Sequence, residues 1–515
     1  MNYNMFKDLS LEEKIGQMFM IGFDGVSLPE DISNFISDKN IGSVILFSRN
    51  IKSIADAINL NNEIHSLGVV TPMIWTDQEG GTIVRFGEMT ATGISHMGIV
   101  ETNNPENAKE IASIIAKDMK QIGIDGVFAP VLDVNTNENN PVIGIRAFSN
   151  NPDTVLLYGK KFIEGLNGEG IVACGKHFPG HGAASADSHL EIPQILLSKK
   201  DFNNLSIYPF LQLSAYLDSI MTAHVKYPKI SEEIGTFSKE FITVNLKQNA
   251  GFSGVVFSDC LEMKAIADNY TSEEIIFKSI SAGIDIMIIS HTKLLQEKYY
   301  NIALDLVKKG RISEKRIDDS VLRILKLKNK YNINKFEYKR IRKFPILRKD
   351  IAIERKIAID SIKVLRNRNN ILPISKESKS LFIEFTNKIT VPSVINEKKI
   401  SQSESIIKKH FPLNTTVKLN LSEDSNIIYK QATKNINDYD NVIIFIYSFN
   451  AETKKKLITL IDKIYRKREN LIIISLENPY EINQLPFINT FICTYGFRQV
   501  QLEAVLKTLN SYKLP

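Results

Sequence analysis

Short apolar runs alternate with amphipathic stretches from the start of the chain to about residue 330. Eight of these runs are typical of buried strands, which we predict at Ile15–Phe23, Gly42–Phe47, Pro72–Asp77, Gly126–Val134, Ile171–His177, Ser219–Val225, Gly254–Asp259 and Ile284–Ser290. Continuous apolar strands that alternate with helices predict a parallel sheet covered by helices. Eight strands favour a (β/α)8 barrel of the TIM type. An open doubly wound sheet is the alternative, but no GxGxxG sequence follows the first strand.

The helix ends in this region carry their own signals. Ser10 with Glu13 and Thr271 with Glu274 have the spacing of a capping box, in which each side chain bonds the backbone N–H of the other residue. Gly283 is well placed to end the second of these helices, because glycine readily adopts the left-handed conformation found at helix C-termini. We therefore predict helices that begin just after Ser10 and Thr271.

The pattern changes after the barrel region. Residues 326–348 form a basic, polar stretch without a clear period, and we interpret 333–348 as a linker between a barrel domain at 1–332 and a second domain at 349–515. The second domain is predicted to be a smaller α/β sandwich-like domain. It begins with a helix at about 349–365 and continues with strands at Ser380–Phe385, Asn441–Ile446 and Asn470–Ser475, with helices between them.

The composition is that of a folded, globular protein. The chain has 515 residues, of which 43% are hydrophobic and 24% charged, which excludes a disordered, collagen-like or coiled-coil protein. Its 64 Lys and Arg residues and 58 Asp and Glu residues leave a net charge of +6. This excess is small for the length, so nucleic acid is not predicted as a partner.

Cysteine usage and hydropathy indicate the compartment. Cys174, Cys260 and Cys493 lie far apart and form no CxxC pair, which fits a reducing environment. The N-terminus lacks a basic region followed by an apolar run, and no stretch of about 18 apolar residues appears. We therefore expect a cytoplasmic protein without a membrane span, unless a leader has been removed.

Polar residues cluster where five of the predicted strands end. The segments are TDQEGG (76–81), DVN (133–135), GKHFPGHG (175–182), TAHV (222–225) and FSDC (257–260). In a (β/α)8 barrel the carboxyl ends of the strands form the active-site face. Charges at five buried strand ends would be costly unless they gather around one site.

The densest of these segments is the loop after the fifth strand, which carries Lys176, His177, His181, Asp187 and His189. The three histidines and Asp187 could bind a metal, since imidazole and carboxylate are common ligands. Alternatively, Asp187 could orient His189, which would then transfer protons. A surface loop with incidental histidines is disfavoured, because three of the eight histidines of the chain fall within 13 positions.

Several residues at or after the other predicted strand ends are also candidates for binding or catalysis. Asp259 ends an apolar strand and is either a catalytic carboxylate or a helix N-cap. Asp77 offers acceptors for sugar hydroxyls. Arg85 and Arg146 could bind hydroxyls, acetamides or anions, although a surface salt bridge would explain each arginine equally well.

Taken in order, these motifs resemble glycoside hydrolase family 3, and more narrowly its β-N-acetylglucosaminidase branch. The resemblance rests on KHFPGHG followed by DSH, with DQEGG, APVLDVN and GIRAF upstream and MTAHV and VVFSD downstream. It covers the whole predicted barrel and continues more weakly through NNILPI, ENPYEINQLP and YKLP in the second domain.

The resemblance implies residue roles. Asp259 would be the nucleophile, and His189 the acid/base with Asp187 as its partner. The substrate contacts would be Asp77, Arg85, Arg146, Lys176 and His177. Neither a metal nor an organic cofactor is implied.

The implied activity is that of a retaining exo-β-N-acetylglucosaminidase. Its substrate would be a GlcNAc-containing muropeptide in peptidoglycan recycling, or a chitooligosaccharide. A family 3 phosphorylase stays open, because a histidine acid/base does not repel phosphate as a carboxylate would. A β-glucosidase or β-xylosidase and, from another class, a zinc-dependent hydrolase also stay open.

Overall fold

The protein is described by a computed structural model over residues 3–188, 191–333, 348–386, 403–447 and 451–512. These residues form two compact units. The first comprises the described residues of Met1–Glu79, Val84–Gly93 and Pro105–Leu347, and the second those of Gly80–Ile83, Ile94–Asn104 and Arg348–Pro515. Two short segments of the barrel sequence, 80–83 and 94–104, therefore pack with the second unit. The predicted linker at 333–348 lies almost wholly outside the described residues.

The first unit is a closed barrel of eight parallel strands, as the sequence predicts. Its strands are β1 Phe19–Ile21, β2 Ser43–Leu46, β3 Met73–Thr76, β6 Gly126–Val127, β7 Val172–Phe178, β8 Ser219–Thr222, β9 Val255–Cys260 and β10 Ile286–Ile289. A short hairpin, β4 Gln78–Gly80 with β5 Ile83–Val84, follows β3. Each barrel strand pairs with its successor, and β10 closes the ring by pairing with β1.

Helices surround the barrel. Those of eight or more residues are Glu30–Lys39, Ile54–His65, Glu106–Ile122, Pro152–Gly168, Ser272–Ala282, Lys293–Lys308 and Glu314–Lys330, and a ten-residue π-helical segment lies at Glu240–Asn249. The shorter ones include Tyr3–Asp8, Leu11–Gln17, Tyr208–Leu213 and Lys264–Ala267. Both predicted capping boxes are confirmed, and Gly283 ends its helix at a φ of 115°.

Aromatic rings fill the barrel interior. Trp75 of β3 stacks on Phe128 with ring centroids 5.0 Å apart, and Phe257 of β9 meets the Trp75 ring edge-on at 4.8 Å. Gly126 lies under the indole, where an added Cβ would come within 2.6 Å of the ring. The large ring is therefore accommodated by the absence of a side chain on the neighbouring strand.

Two of the predicted strands differ most from the observed strands in extent. Ile15 belongs to the helix Leu11–Gln17, and β1 begins only at Phe19. The apolar run is continuous because this amphipathic helix leads directly into a buried strand. The strand predicted at Gly126–Val134 is regular only over Gly126–Val127, since Pro130 has no N–H to donate to a ladder.

The second unit contains a six-stranded sheet. Its strands are β11 Lys363–Asn367, β12 Ser380–Thr386, β13 Asn414–Asn420, β14 Asn441–Ile446, β15 Leu471–Ser475 and β16 Thr490–Cys493, in the order β11-β16-β15-β14-β12-β13. All neighbours are parallel except β11 and β16. The helices are His96–Glu101, Arg348–Ser361, Ser403–His410, Ser425–Ala432, Ala451–Lys467 and Gln499–Ser511.

The α/β class predicted for the second region is confirmed, but only three of its six strands were predicted. The three predicted strands correspond to β12, β14 and β15, whereas β11, β13 and β16 were not predicted. The helix predicted at 349–365 ends at Ser361, because β11 begins at Lys363. No helix in the described parts of either unit is long and apolar enough to cross a membrane.

Candidate active site

The barrel brings the predicted polar residues to one face. Asp77 follows β3 directly. Lys176 and His177 are the two residues before the last of β7, and Asp259 is the last but one of β9. Asp133 follows β6, beyond Pro130. In a parallel barrel these carboxyl ends all open on the same side. The sequence motifs therefore converge as expected.

Lys176 is the centre of a buried charge cluster. Its Nζ lies 2.9 Å from Asp77 Oδ1 and 2.6 Å from Glu79 Oε1, so one ammonium group bridges two carboxylates. The side chain of Lys176 is only 3% exposed and that of Glu79 only 2%. Ions removed from water to this degree persist only when paired.

Two arginines complete this cluster. Arg85 donates from Nη2 to Asp77 Oδ2 at 2.8 Å. Arg146, at the end of the short 3-10 helix Gly144–Arg146, donates from Nε and Nη2 to the two oxygens of Glu79 at 2.9 and 2.8 Å. This bidentate geometry fixes both the position and the plane of the carboxylate. Both arginines do form salt bridges, as the alternative expected, but their side chains are only 16% and 10% exposed.

The cluster sets the charge state of its members. Burial alone would raise the pKa of Glu79, but Arg146 and Lys176 outweigh it and lower that pKa to about 2. In the same way, burial opposes ionisation of Asp77, and Lys176 and Arg85 bring its pKa well below the usual range. The pKa values of Lys176 and Arg146 are raised despite their burial, because the carboxylates face them. Asp77, Glu79, Lys176 and Arg146 are thus charged at neutral pH.

His177 belongs to a second network, built on Asp133. Its Nδ1 lies 2.7 Å from Asp133 Oδ2, and Asp133 also accepts the backbone N–H groups of His177 at 3.3 Å and His181 at 2.6 Å. Because the ionised carboxylate only accepts hydrogen bonds, Nδ1 of His177 carries a proton. Asp133 therefore fixes the orientation of the His177 ring.

His181 packs into the interior of the same loop. Its Nε2 lies 3.0 Å from Ser188 Oγ, and burial lowers the pKa of His181 to about 4, so the ring is neutral at pH 7. Among the described residues, no group of three or more His, Cys, Asp or Glu side chains is arranged to hold a metal. Asp187 lies half-buried on this loop, while His189 falls outside the described residues.

Asp259 lies at the point where β9 ends. Its Oδ1 accepts the N–H of Cys260 at 2.7 Å. His224, which follows β8, places Nε2 3.0 Å from the carbonyl of Cys260. Since a carbonyl only accepts, this nitrogen carries the proton, and it ties the end of β9 to its neighbour. The interpretation of Asp259 as a helix N-cap is wrong, because the next helix begins at Lys264 with Met263 at its N-cap.

Sequence reasoning missed two partners in these networks. Glu79 and Asp133 stand in the motifs TDQEGG and DVN, but no role was predicted for either. An acid at the end of an apolar strand was the available signal. Their partners, Arg146 and His177, lie 67 and 44 positions away, so only the fold reveals the pairs.

An eight-stranded parallel barrel with clustered, buried polar groups at its carboxyl face is the architecture of an enzyme. Residues 10–327 match the model of the glycosyl hydrolase family 3 N-terminal domain. The chain belongs to this family, which confirms the resemblance seen in the sequence.

Two relatives of this chain within the family are β-hexosaminidases. The chain is 35% identical to a β-hexosaminidase of Thiobacillus denitrificans over 294 residues, which are 56% of this chain and 82% of that protein. It is 31% identical to β-hexosaminidase A of Pseudoalteromonas piscicida over 333 residues, covering 59% of this chain. That match spans only 56% of the length of the Pseudoalteromonas protein.

Solved structures extend the likeness to both units. A glycoside hydrolase family 3 β-N-acetylglucosaminidase from Paenibacillus sp. str. FPU-7 superposes with a TM-score of 0.91 at 28% identity, covering 98% of this chain and 97% of that chain. A β-glucoside phosphorylase, BglX, shares the fold with a TM-score of 0.80 at 18% identity, covering 99% of this chain and 93% of that chain.

The position of Lys176 between two buried carboxylates predicts a large effect on stability. Lys176→Met should lower the free energy of unfolding by about 3 kcal/mol, because it leaves two buried anions with one cation fewer. Urea denaturation at pH 7 would measure the loss. Lys161→Met is a matched control, since Lys161 also bridges two carboxylates, Glu106 and Glu164, but on the surface. The control should lose less than about 1 kcal/mol; equal losses would contradict the prediction.

Proposed function

We propose that the protein is a retaining exo-β-N-acetylglucosaminidase that removes terminal β-linked GlcNAc. The proposal is carried by the likeness to the Paenibacillus β-N-acetylglucosaminidase, which extends over 98% of this chain. The charge cluster around Lys176 supports it, because this cluster shares the carboxyl face of the barrel with Asp259. Charged groups fixed in this way can bind sugar hydroxyls without reorganising.

Asp259 is the nucleophile in this proposal. Its carboxylate attacks the anomeric carbon as the glycosidic bond breaks, and the transition state has oxocarbenium character. The product of this step is a covalent glycosyl-aspartate. Water then attacks the same carbon and releases Asp259, so that two displacements retain the β configuration.

The acid/base is the pair Asp187–His189. His189 gives its proton to the leaving oxygen in the first step and takes one from water in the second. A nearby carboxylate favours the protonated imidazole, which must carry a proton when the first step begins. The roles of these two residues rest on the DSH motif. The mechanism needs neither a metal nor an organic cofactor.

The sugar is held by Asp77, Arg85, Arg146, Lys176 and His177. The first four belong to the charge cluster, and the ring of His177 is oriented by Asp133. Asp77 offers acceptors, while Lys176 and the two arginines offer donors. A sugar hydroxyl is both a donor and an acceptor, so it can satisfy both kinds of group at once.

The source of the substrate follows from the family resemblance. We propose muropeptides from peptidoglycan recycling in the cytoplasm, with chitooligosaccharides as the alternative source.

The proposed domain limits are 1–332 for the catalytic barrel, 333–348 for a basic linker and 349–515 for the second domain.

An assay of nitrophenyl glycosides of GlcNAc, glucose and xylose, with and without phosphate, tests the activity. Phosphate-dependent release of a sugar phosphate would instead establish a phosphorylase.

The nucleophile assignment predicts a nearly inactive Asp259→Asn variant, since an amide is a poor nucleophile. The variant should keep the circular dichroism and thermal midpoint of the wild type. Asp268→Asn, at an exposed position nearby, should keep full activity. A mechanism-based fluorosugar should label Asp259 of the wild type, as peptide mapping would show. A label on another residue would overturn the assignment.

The acid/base assignment predicts that the loss in His189→Ala depends on the leaving group. Nitrophenolate departs with little help, whereas a sugar alkoxide needs a proton, and such transfer contributes roughly 10²–10⁴-fold. The variant should therefore lose much more activity on a GlcNAc disaccharide than on the nitrophenyl glycoside. Asp187→Asn should show the same trend to a smaller extent. Equal losses on both substrates would mean that His189 is not the acid.

The site should select for the N-acetyl group. The charge cluster has three cations and two carboxylates, so its net charge of +1 should disfavour the ammonium group of glucosamine relative to the neutral acetamide. A site built for hydrogen bonding also penalises a glucoside that leaves its groups unpaired, by roughly 1–3 kcal/mol per group. We expect kcat/KM for the GlcNAc substrate to exceed that for the glucoside by at least about 100-fold. Comparable values for the two nitrophenyl glycosides would instead indicate a β-glucosidase.

A further inference from the structure

The second unit holds a short segment that continues directly from the charge cluster. This segment, Gly80–Ile83, begins one peptide bond after Glu79. Within the unit, Arg498 donates from Nε to the carbonyl of Gly81 at 3.0 Å and from Nη2 to the carbonyl of Thr82 at 3.2 Å. Arg498 is only 8% exposed. A buried guanidinium therefore fixes two consecutive carbonyls, which restrains both the position and the orientation of the chain.

Close packing of the backbone restrains the same segment from another side. Gly81 has a φ of +62°, and an added Cβ would lie 2.7 Å from the backbone nitrogen of Ser95. Ser95 is itself fixed in the second unit, since its Oγ donates to the carbonyl of Tyr495 at 2.6 Å. Tyr495 and Arg498 both lie between β16 and the helix Gln499–Ser511. The residues between β16 and the helix Gln499–Ser511 thus restrain Gly81 in two ways. Arg498 binds the carbonyl of Gly81, and Tyr495 fixes Ser95, which packs against Gly81.

The held carbonyls are close in sequence to the sugar-binding carboxylates. Gly81 follows Glu79 by two residues and Asp77 by four, and Arg85 follows Thr82 by three. A shift of the segment would be transmitted through these few bonds to the ion pairs with Lys176 and Arg146. Bidentate pairs tolerate little displacement, because both hydrogen bonds weaken together.

We propose that Arg498 is a positioning residue for sugar binding, acting through the backbone of Gly81 and Thr82 on Asp77 and Glu79. The inference rests on the proposed role of the charge cluster in holding the sugar. It assigns a purpose in the reaction to a residue 239 positions beyond Asp259. Arg498 touches neither the sugar nor the reacting atoms in this proposal.

The test compares Arg498→Met with Arg366→Met in the full-length protein. Arg366 is the control, because its Nη1 also donates to backbone carbonyls of the second unit, those of Leu485 and Ile488 at 2.8 Å and that of Pro486 at 3.4 Å. Kinetics would use whichever nitrophenyl glycoside the wild type cleaves fastest. A preference for a glucoside would then refute the proposed function while leaving the test of Arg498 intact.

We expect Arg498→Met to lower kcat/KM by about 10- to 100-fold relative to Arg366→Met, mainly through a higher KM, since displaced binding groups cost roughly this much. Arg498→Lys, which keeps the charge but loses the two-pronged donation, should lie between the wild type and Arg498→Met. Hydrogen exchange in peptides covering residues 77–86 should become faster in Arg498→Met and stay unchanged in Arg366→Met. This readout needs no activity. A loss of less than tenfold relative to the control, or unchanged exchange over 77–86, would overturn the proposal.

Discussion

The contact of one lysine with two buried carboxylates is the interaction on which the candidate site depends. Asp77 and Glu79 are two residues apart and both withdrawn from water, so their charges would repel each other without a cation between them. Lys176 reaches them from β7, at 2.9 and 2.6 Å. Each arginine then neutralises one carboxylate from the outside. The two sides meet because β3 and β7 flank β6 in the curved sheet.

Forming this charge cluster costs desolvation free energy, but the paired groups are then fixed in position. Desolvation opposes every charge in the cluster, and only the mutual pairing keeps the groups ionised. Groups held in this way need little reorganisation when a polar ligand replaces water, and preorganised polar groups of this kind favour binding and catalysis in general. The stability of the cluster and its affinity for a polar ligand therefore have the same physical origin.

The sequence predicts the barrel well because its strands are buried and mostly apolar, and because two of its helices begin with capping boxes. It predicts the second unit less well. β13 is only partly buried, so it lacks a continuous apolar run, and β11 follows its helix after one residue, so the two merge into one pattern. Within the site, the motifs locate Asp77, Lys176 and Asp259 at strand ends. They cannot reveal that Glu79 pairs with Arg146 or Asp133 with His177, because those contacts exist only once distant strands meet.

The charge states also bear on which group can donate a proton. Three strand-end acids, Asp77, Glu79 and Asp133, have lowered pKa values despite burial, because each faces a cation or a histidine. A general acid works best with a pKa near the operating pH, so these carboxyls are unsuited to protonating a leaving oxygen. Their engagement with Lys176, the arginines and His177 fits the binding and orienting roles proposed for this site. A reaction that needs a proton at this face must therefore draw it from another residue, and imidazole titrates in a suitable range. The lowered pKa values of these three carboxyls are thus compatible with the histidine acid/base proposed from the DSH motif.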